Sequence, residues 1–257
     1  KAMIVCVDVG NTTICFGLYD NNKLIDTYKI ESKLSKTSDE YGSSLLTHYK
    51  LSNIDKSFIN GAIIASVVPS VDHALENMFL DYFHVEAMFI NSNLPLGLNI
   101  KVNPVSSLGA DLLVGAYIAT IKYGVPNIVI DMGTATTLIV VNKNKELLGG
   151  IIYPGVIASF SSLIKATSLL ESTKLEIPDR VIENNTKGCL QSGMTYGTKA
   201  TITGLVEMMK QELNEENIKV IMTGGISKVY KKLFNEYIYD ENLLLEGLYE
   251  IYNLINK

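Results

Sequence analysis

The sequence lacks the charge pattern of a nucleic-acid-binding protein and the apolar runs of a membrane protein. Its 257 residues carry 22 lysines and arginines against 27 aspartates and glutamates, and the two signs are mixed along the chain. No basic stripe is present, so sequence-independent binding to a phosphate backbone is not expected. No apolar run has the length of a membrane-spanning helix, and no signal-peptide pattern is present. We therefore expect a cytoplasmic protein that binds neither nucleic acid nor membrane.

Cysteine and histidine are also scarce, and neither has the spacing of a metal site. The three cysteines, Cys6, Cys15 and Cys189, form no CxxC pair. This pattern is typical of reduced cysteines in the core of a cytosolic protein. The three histidines are scattered along the chain. A zinc site or a histidine-based catalytic dyad is therefore not expected.

The first informative motif occupies residues 4–20, which read IVCVDVGNTTICFGLYD. Asp8 ends an apolar run that is typical of a buried strand. Gly10 and Asn11 can adopt the positive-φ conformations of a tight turn, and two threonines precede a second apolar strand. An acid at the tip of a buried strand, facing a glycine and threonine turn, suits a metal ion and a phosphate. An ordinary hairpin capped by an aspartate is the alternative.

The same pattern returns in residues 127–141, which read NIVIDMGTATTLIVV. The segment Asp131-Met132-Gly133-Thr134 matches the layout that begins at Asp8, and the succession of hairpin, strand and helix occurs twice. The hydrophobic content of 47% is ample for one large or two medium domains. We therefore expect two similar halves, each with an acid-tipped hairpin, that face one another across a cleft.

Two shorter motifs add candidate residues. SSLGAD places Asp111 in the first turn of a helix predicted over residues 106–123. The local pattern favours an acid that interacts with the helix dipole, and a carboxylate aimed into a cleft is the alternative. A strand predicted from residue 219 ends in Thr223-Gly224-Gly225. Such a turn suits the base or sugar of a nucleotide that lies on bare backbone.

An ordered set of motifs carries a family resemblance. DVGNTT, SDEYG, SVVP, GAD, DMGTATT, GGIIYPG, QSGMTYG and TGG occur in the order, and at about the spacing, found in type III pantothenate kinases. The chain resembles that family over nearly its whole length. The resemblance implies an α/β fold of the acetate-kinase, hsp70 and actin type. That fold has two similar actin-like (ribonuclease H-like) domains, each a mixed sheet flanked by helices, with an ATP cleft between them. We place the domains at residues 1–117 and 118–257.

The resemblance also implies an activity. A type III pantothenate kinase transfers phosphate from ATP to the primary hydroxyl of pantothenate and forms 4'-phosphopantothenate, in the first step of coenzyme A biosynthesis. The implied cofactors are ATP, Mg2+ and a monovalent cation, either K+ or NH4+. The implied assembly is a homodimer.

Positions that match the family motifs carry the implied roles. Asp111 matches the general base, Asp131 matches the ligand of the monovalent cation, and Asp8 serves the phosphates and, indirectly, Mg2+. The implied ATP contacts are Asp8, Val9, Gly10, Asn11, Thr12, Thr13, Ile14, Cys15, Thr134, Gly224 and Gly225. The implied pantothenate contacts are Lys101, Val102, Gly109, Ala110, Asp111, Leu112 and Thr186.

Two departures from the family pattern concern the acceptor. The family usually has an arginine directly after the GAD aspartate, where this chain has Leu112, and a tyrosine where it has Lys101 or Val102. An alkyl chain does not replace a bidentate guanidinium, although Lys101 can supply a positive charge. Two alternatives to pantothenate kinase therefore stay open. One is a kinase of the same fold for another small hydroxyl compound, and the other is a non-catalytic nucleotide-binding regulatory protein.

Overall fold

A computed structural model describes residues 2–32, 36–215 and 217–257 of the chain. The strands, in chain order, are β1 (Met3–Val9), β2 (Thr13–Asp20), β3 (Lys23–Glu31), β4 (Ile59–Ser66), β5 (Ala87–Phe89), β6 (Asn99–Ile100), β7 (Asn127–Met132), β8 (Ala135–Val141), β9 (Glu146–Pro154), β10 (Lys219–Thr223) and β11 (Ile238–Tyr239). The α-helices are α1 (Ser38–Leu51), α2 (Pro69–Met78), α3 (Ala110–Tyr123), α4 (Val156–Ala166), α5 (Thr186–Ser192), α6 (Thr198–Leu213), α7 (Ser227–Tyr230) and α8 (Leu243–Ile255).

The chain forms two compact units. The first comprises Lys1–Gly97, Asn103–Ile118 and Asn242–Lys257, and the second comprises Leu98–Val102 and Ala119–Glu241. None of the helices in the described part of the chain combines the length and the apolar character that a membrane span requires.

Each unit is built on one mixed sheet, and the two sheets repeat one topology. The strand order is β3-β2-β1-β4-β5 in the first unit and β11-β10-β7-β8-β9-β6 in the second. In both, a central strand, β1 or β7, pairs antiparallel with the next strand of the chain and parallel with the third strand after it, β4 or β10. The structure thus contains the predicted repeat, because β3-β2-β1-β4-β5 corresponds to β9-β8-β7-β10-β11.

Helices cover the sheets through apolar side chains. In the first unit, Tyr41 and Leu45 of α1 and Leu75 of α2 join the inward side chains of β1, β2 and β4 in one cluster. In the second unit, Ile202 and Val206 of α6 pack with residues of β7 and β10. Burial of such apolar surface, at about 25 cal/mol per Å², is the main favourable contribution to folding. The predicted arrangement of mixed sheets flanked by helices is confirmed within each unit.

The C-terminal helix α8 belongs to the first unit, although the sequence-based boundary at residue 117 assigned it to the second half. The boundary itself stays a prediction. Glycines on the sheet make room for this helix: a Cβ on Gly17 would lie 2.8 Å from Leu245 Cδ1, and a Cβ on Gly61 would overlap the ring of Tyr252. Helix α8 therefore lies closer to the sheet of the first unit than it could if Gly17 and Gly61 were larger residues.

Two local expectations differ from the structure. Gly10 and Asn11 do not have positive φ; the nearest residues that do are Asn21 and Asn22, in the turn between β2 and β3. The first turn is instead closed by a hydrogen bond from Gly10 N to Thr13 O of 3.0 Å.

Among the cysteines, all of which are free, Cys6 is buried but Cys189 is exposed on α5. The expectation that all three cysteines lie in a core was wrong, because burial of Leu190 and Gly188 turns Cys189 outward.

Gly61→Ala will destabilise the first unit by about 2 kcal/mol, because the new methyl group overlaps the outer end of the Tyr252 side chain, which must move out of its packed position. The free energy of unfolding in urea measures this change. The matched control is Gly204→Ala in the middle of α6, where a Cβ meets no atom within 4 Å. That control will stabilise the protein by about 0.5–1 kcal/mol. Equal stability of the two variants would contradict the close packing of α8.

Candidate functional site

The first acid-tipped hairpin lies in the first unit, where Asp8 is half-buried near the end of β1. The loop after it is anchored twice: Gly10 N donates to Thr13 O at 3.0 Å, and Ser32 N donates to Thr12 O at 2.9 Å. Asn11, Thr12 and Thr13 are exposed, so their polar groups can meet a ligand. The loop therefore presents one carboxylate, hydroxyl groups and backbone groups at the carboxyl end of β1.

Two predicted ATP contacts within this hairpin face the other way. The side chains of Val9 and Ile14 are 1% and 0% exposed and belong to the apolar cluster of the first unit. Any contact that these two residues make with a ligand is consequently through backbone atoms. Cys15 is half-buried and lies directly opposite Asp8 in the antiparallel pair.

The second acid-tipped hairpin repeats this arrangement in the second unit with a shorter turn. Asp131 is half-buried near the end of β7, and Gly133 N donates to Ala135 O at 3.0 Å. In both hairpins, the amide that closes the turn belongs to the glycine two residues after the acid. Thr134 is exposed at the tip of the turn, and its carbonyl oxygen accepts a hydrogen bond of 3.1 Å from Gly155 N.

The turn after β10 lies against Asp131. Gly224 has a φ of +99°, and a Cβ at that position would overlap Asp131 Oδ1. Ile226 N donates to Met132 O at 3.2 Å, which fixes the turn to β7. The structure thus brings together Asp131 and Gly224, two residues that the sequence placed 93 positions apart. Gly225 is exposed, and no atom would lie within 4 Å of its Cβ.

Asp111 occupies the first turn of α3, in the first unit. Its Oδ1 accepts a hydrogen bond of 2.8 Å from Leu112 N. A Cβ on Gly109 would lie 2.6 Å from the same oxygen, so only glycine leaves room there. Burial raises the pKa of the Asp111 carboxyl above its ordinary value, against the opposing effect of the hydrogen bond from Leu112 N. A buried carboxylate with a raised pKa is a stronger base than an exposed one, as proton transfer from a hydroxyl requires.

The ammonium group of Lys101, a candidate for binding the acceptor, forms an ion pair within the second unit. Lys101 follows β6, and its Nζ lies 3.4 Å from Glu146 Oε1 on the neighbouring strand β9. Glu146 also accepts a hydrogen bond of 2.7 Å from Asn142 Nδ2. The hydrogen bond from Asn142, together with that from Lys101 and its charge, holds the pKa of Glu146 below its ordinary value. The structure therefore places a carboxylate next to the ammonium group that was considered for binding the acceptor.

Thr186, the first residue of α5, lines a cavity of about 580 Å³ in the second unit. The volume is within the usual range for small-molecule sites. Two lysines and two glutamates contribute to the wall, so the cavity carries both signs of charge. The lining residues are Leu169, Glu171, Ser172, Thr173, Lys174, Glu176, Thr186, Lys187 and Leu190.

The side chains of the QSGMTYG motif hold a neighbouring segment in place, a role that the sequence did not predict. Gln191 Nε2 donates to Lys174 O at 3.2 Å, Ser192 Oγ donates to Val181 O at 2.6 Å, and Tyr196 Oη donates to Pro178 O at 2.7 Å. These bonds fasten the segment that contributes part of the cavity wall. Gln191 and Ser192 are each 8% exposed. Polar residues at buried helical positions were the signal that could have indicated this role.

The donor atoms at Asp8 and Asp131 fit a hard cation, since carboxylate, hydroxyl and carbonyl oxygens are the ligands that Mg2+ and K+ prefer. Within residues 2–32, 36–215 and 217–257, no three histidine, cysteine, aspartate or glutamate side chains form a group that could hold a metal ion. A cation at either acid would therefore complete its coordination with backbone oxygens, water or a bound phosphate.

Comparison with known proteins gives a consistent family. The sequence profile described as type III pantothenate kinase matches residues 4–208. A type III pantothenate kinase of Halalkalibacterium halodurans is 37% identical over 251 residues, which cover 97% of this chain and 98% of that protein.

Solved structures of low sequence identity show the fold. A Campylobacter jejuni protein assigned to the Baf family of transcriptional activators has a TM-score of 0.62 at 18% identity, with 98% of both chains covered. Component A of (R)-2-hydroxyglutaryl-CoA dehydratase from Acidaminococcus fermentans has a TM-score of 0.56 at 13% identity, with both chains fully covered at 100%. MreB 5 of Spiroplasma citri bound to AMPPNP has a TM-score of 0.54 at 11% identity, with 100% of this chain and 97% of that chain covered. The predicted actin-like α/β fold is confirmed.

Gly224→Ala will destabilise the protein by about 2–3 kcal/mol, because it combines a positive φ with an overlap on Asp131 Oδ1. Gly225→Ala, one residue later and in open space, will change the free energy of unfolding by less than about 1 kcal/mol. Urea unfolding of the two variants beside the parent protein gives both values. A Gly224→Ala variant as stable as Gly225→Ala would mean that the turn does not lie against Asp131.

Proposed function

The chain belongs to the type III pantothenate kinase family, and from that premise we propose how its residues carry out the reaction. The protein is an enzyme, a kinase that phosphorylates pantothenate in coenzyme A biosynthesis. A kinase of this family uses ATP together with a divalent metal ion. The acceptor is the primary hydroxyl of pantothenate, and the product is 4'-phosphopantothenate. The observation that carries the assignment of roles is the buried carboxylate of Asp111 with its raised pKa.

Asp111 acts as the general base. Phosphoryl transfer needs placement and charge neutralisation more than covalent chemistry, and the acceptor hydroxyl needs a carboxylate that takes its proton as the new P–O bond forms. The bond from Leu112 N and the close approach of Gly109 hold the Asp111 carboxylate in one orientation. The neighbours of Asp111 in the chain are proposed to contact pantothenate beside this hydroxyl; they are Gly109, Ala110 and Leu112. Thr186 and Val102 are proposed as further pantothenate contacts.

The loop from Asp8 to Cys15 binds the phosphates of ATP. The exposed groups of Asn11, Thr12 and Thr13 and the backbone of the turn offer hydrogen bonds to phosphate oxygens. Bound Mg2+ would neutralise charge on the transferring phosphoryl group. Asp8 would hold that ion indirectly, through its water ligands.

The remaining proposed nucleotide contacts lie on the second acid-tipped hairpin and on the turn after β10. Thr134, at the tip of the second turn, and the bare backbone of Gly224 and Gly225 are proposed to contact ATP. Asp131 is proposed as the ligand of K+ or NH4+, with its carboxylate oriented by the close approach of Gly224. We further propose that the enzyme is a cytoplasmic homodimer, as the resemblance to the family implies.

One observation favours a second acceptor class. Position 112 carries a leucine, and the Lys101 ammonium lies 3.4 Å from the Glu146 carboxylate. Neither position offers an unpaired cation to the pantothenate carboxylate, whose recognition normally uses a bidentate guanidinium or an ammonium group. A small hydroxyl compound without a carboxylate is therefore the alternative acceptor.

The experiment that tests the function is a coupled assay of ADP release with Mg2+ and K+ present. The protein will phosphorylate pantothenate, and Asp111→Asn will lower kcat by about 10²–10⁴-fold with little change in ATP affinity, because the variant cannot accept the proton. In the parent protein, kcat will fall as the pH drops through the raised pKa of Asp111, since only the ionised carboxylate acts as a base.

Asp72→Asn is the matched control, because Asp72 is also a first-turn acid of a helix in the first unit. It will leave kcat close to the parent value. Pantothenyl alcohol, which replaces the carboxylate of pantothenate with a hydroxymethyl group, separates the two acceptor classes when it is assayed beside pantothenate. If the alcohol is phosphorylated and pantothenate is not, the acceptor is a compound without a carboxylate. If ATP binds but no phosphate is transferred to either compound, the kinase assignment is overturned.

A further inference from the structure

Three side chains form a row across the sheet of the first unit. Asp8 on β1 pairs with Cys15 on β2, and Cys15 pairs with Lys29 on β3. Paired residues of neighbouring strands point to the same face of a sheet. Their sequence neighbours Val9, Ile14 and Tyr28 pack in or against the apolar cluster on the opposite face. Lys29 therefore points to the face that carries the Asp8 carboxylate.

This row lies next to the proposed phosphate loop. Thr13, the first residue of β2, pairs with Glu31, which lies two residues beyond Lys29 on β3. Ser32 N donates to Thr12 O at 2.9 Å and ties the end of β3 to the loop. Strands lie about 4.8 Å apart, so the Lys29 backbone is about 10 Å from that of Asp8. The four-carbon stem of a lysine side chain can bring its ammonium group over most of this distance.

The charges of Lys29 and Asp8 act on the same atom. Burial raises the pKa of the Cys15 thiol to about 11, while the positive charge of Lys29 lowers it and the negative charge of Asp8 raises it. Both charged groups thus lie close enough to Cys15 to shift the pKa of its thiol, in agreement with the strand register.

Lys29 is the cation at the loop end of these strands. The strands β1, β2 and β3 contain two lysines and no arginine, and the other lysine, Lys23, lies at the opposite end of β3. Lys29 is exposed, and its ammonium group makes no hydrogen bond or ion pair within the part of the chain that the structure describes. Within the part of this end that the structure describes, Asp8 and Glu31 carry carboxylates, and both make interactions of their own. A triphosphate bound at the loop would bring several negative charges, which a positive side chain can offset.

We propose that the Lys29 ammonium group binds the phosphates of ATP at the Asp8 loop and is a positioning residue for phosphoryl transfer. The proposal rests on the proposed function, since it takes the loop as the phosphate site. Lysine acts there as a flexible point charge that adds to the neutralisation supplied by a divalent ion. Its contribution is directed to the phosphates, so it strengthens binding of ATP and leaves binding of adenosine unchanged.

The test compares Lys29→Met, Lys29→Arg and the matched control Lys23→Met. Calorimetric titration with MgATP will show about a tenfold weaker Kd for Lys29→Met, with recovery to within about threefold in Lys29→Arg, as expected for loss of one charge-assisted contact. Adenosine affinity will be the same in all variants. In the kinase assay, Lys29→Met will raise KM for ATP with KM for pantothenate unchanged, and Lys23→Met will match the parent protein.

Each outcome has a definite meaning. If Lys29→Met binds MgATP as tightly as Lys23→Met, the role of Lys29 is overturned while the kinase function stands. If Lys29→Met weakens MgATP and adenosine equally, the loss is structural and the proposal fails. A parent protein that binds MgATP without phosphorylating pantothenate would overturn the acceptor assignment, and the binding arm would still decide the role of Lys29. A parent protein that binds no MgATP would overturn both.

Discussion

Close approach of glycine backbone to a carboxylate is the constraint on which the candidate chemistry depends. Gly109 leaves room for Asp111 Oδ1, and Gly224, at positive φ, leaves room for Asp131 Oδ1. In each case a side chain as small as alanine would displace the acid. Glycine also allows close packing in the fold, because the absence of a side chain at Gly17 and Gly61 lets α8 lie close to the sheet of the first unit. Both packing and acid placement therefore rest on positions where a Cβ atom does not fit.

The repeated sheet explains why acids occur where they do. A strand buried on both faces tolerates a carboxylate only near its end, where water or a ligand can solvate it. Asp8 and Asp131 both occupy that position on the central strand of their sheets. The hairpin that follows each acid is closed by a glycine amide, and residues at its tip are exposed. The topology thus supplies two similar acid-tipped turns, for which different roles are proposed.

Local sequence patterns predicted the elements that depend on neighbours in the chain. The two hairpins, their acids, the repeat and the position of Asp111 in a first helical turn follow from apolar periodicity and turn chemistry. Features that depend on strand register or on partners distant in the chain could not be predicted from the sequence. The pairing of Lys101 with Glu146 needs the parallel contact of β6 with β9, and the row from Asp8 to Lys29 needs two strand registers. The family motifs predicted candidate residues, and the structure adds what the first two side chains of QSG do, since Gln191 and Ser192 donate to distant carbonyl groups.

The most direct measurement is the free energy of unfolding of the parent protein and Asp111→Asn across a range of pH. Burial raises the pKa of Asp111 in the folded state above that of the unfolded chain, so ionisation costs stability above the ordinary aspartate pKa, and the cost is complete above the raised one. Asp111→Asn should therefore be the more stable protein at neutral pH, and its advantage should shrink as the pH falls from the raised pKa to the ordinary one. This result would mean that the fold holds a destabilised carboxylate ready to accept a proton. An asparagine variant that is less stable at neutral pH, or a difference that does not change with pH, would contradict the role of Asp111 as a buried base.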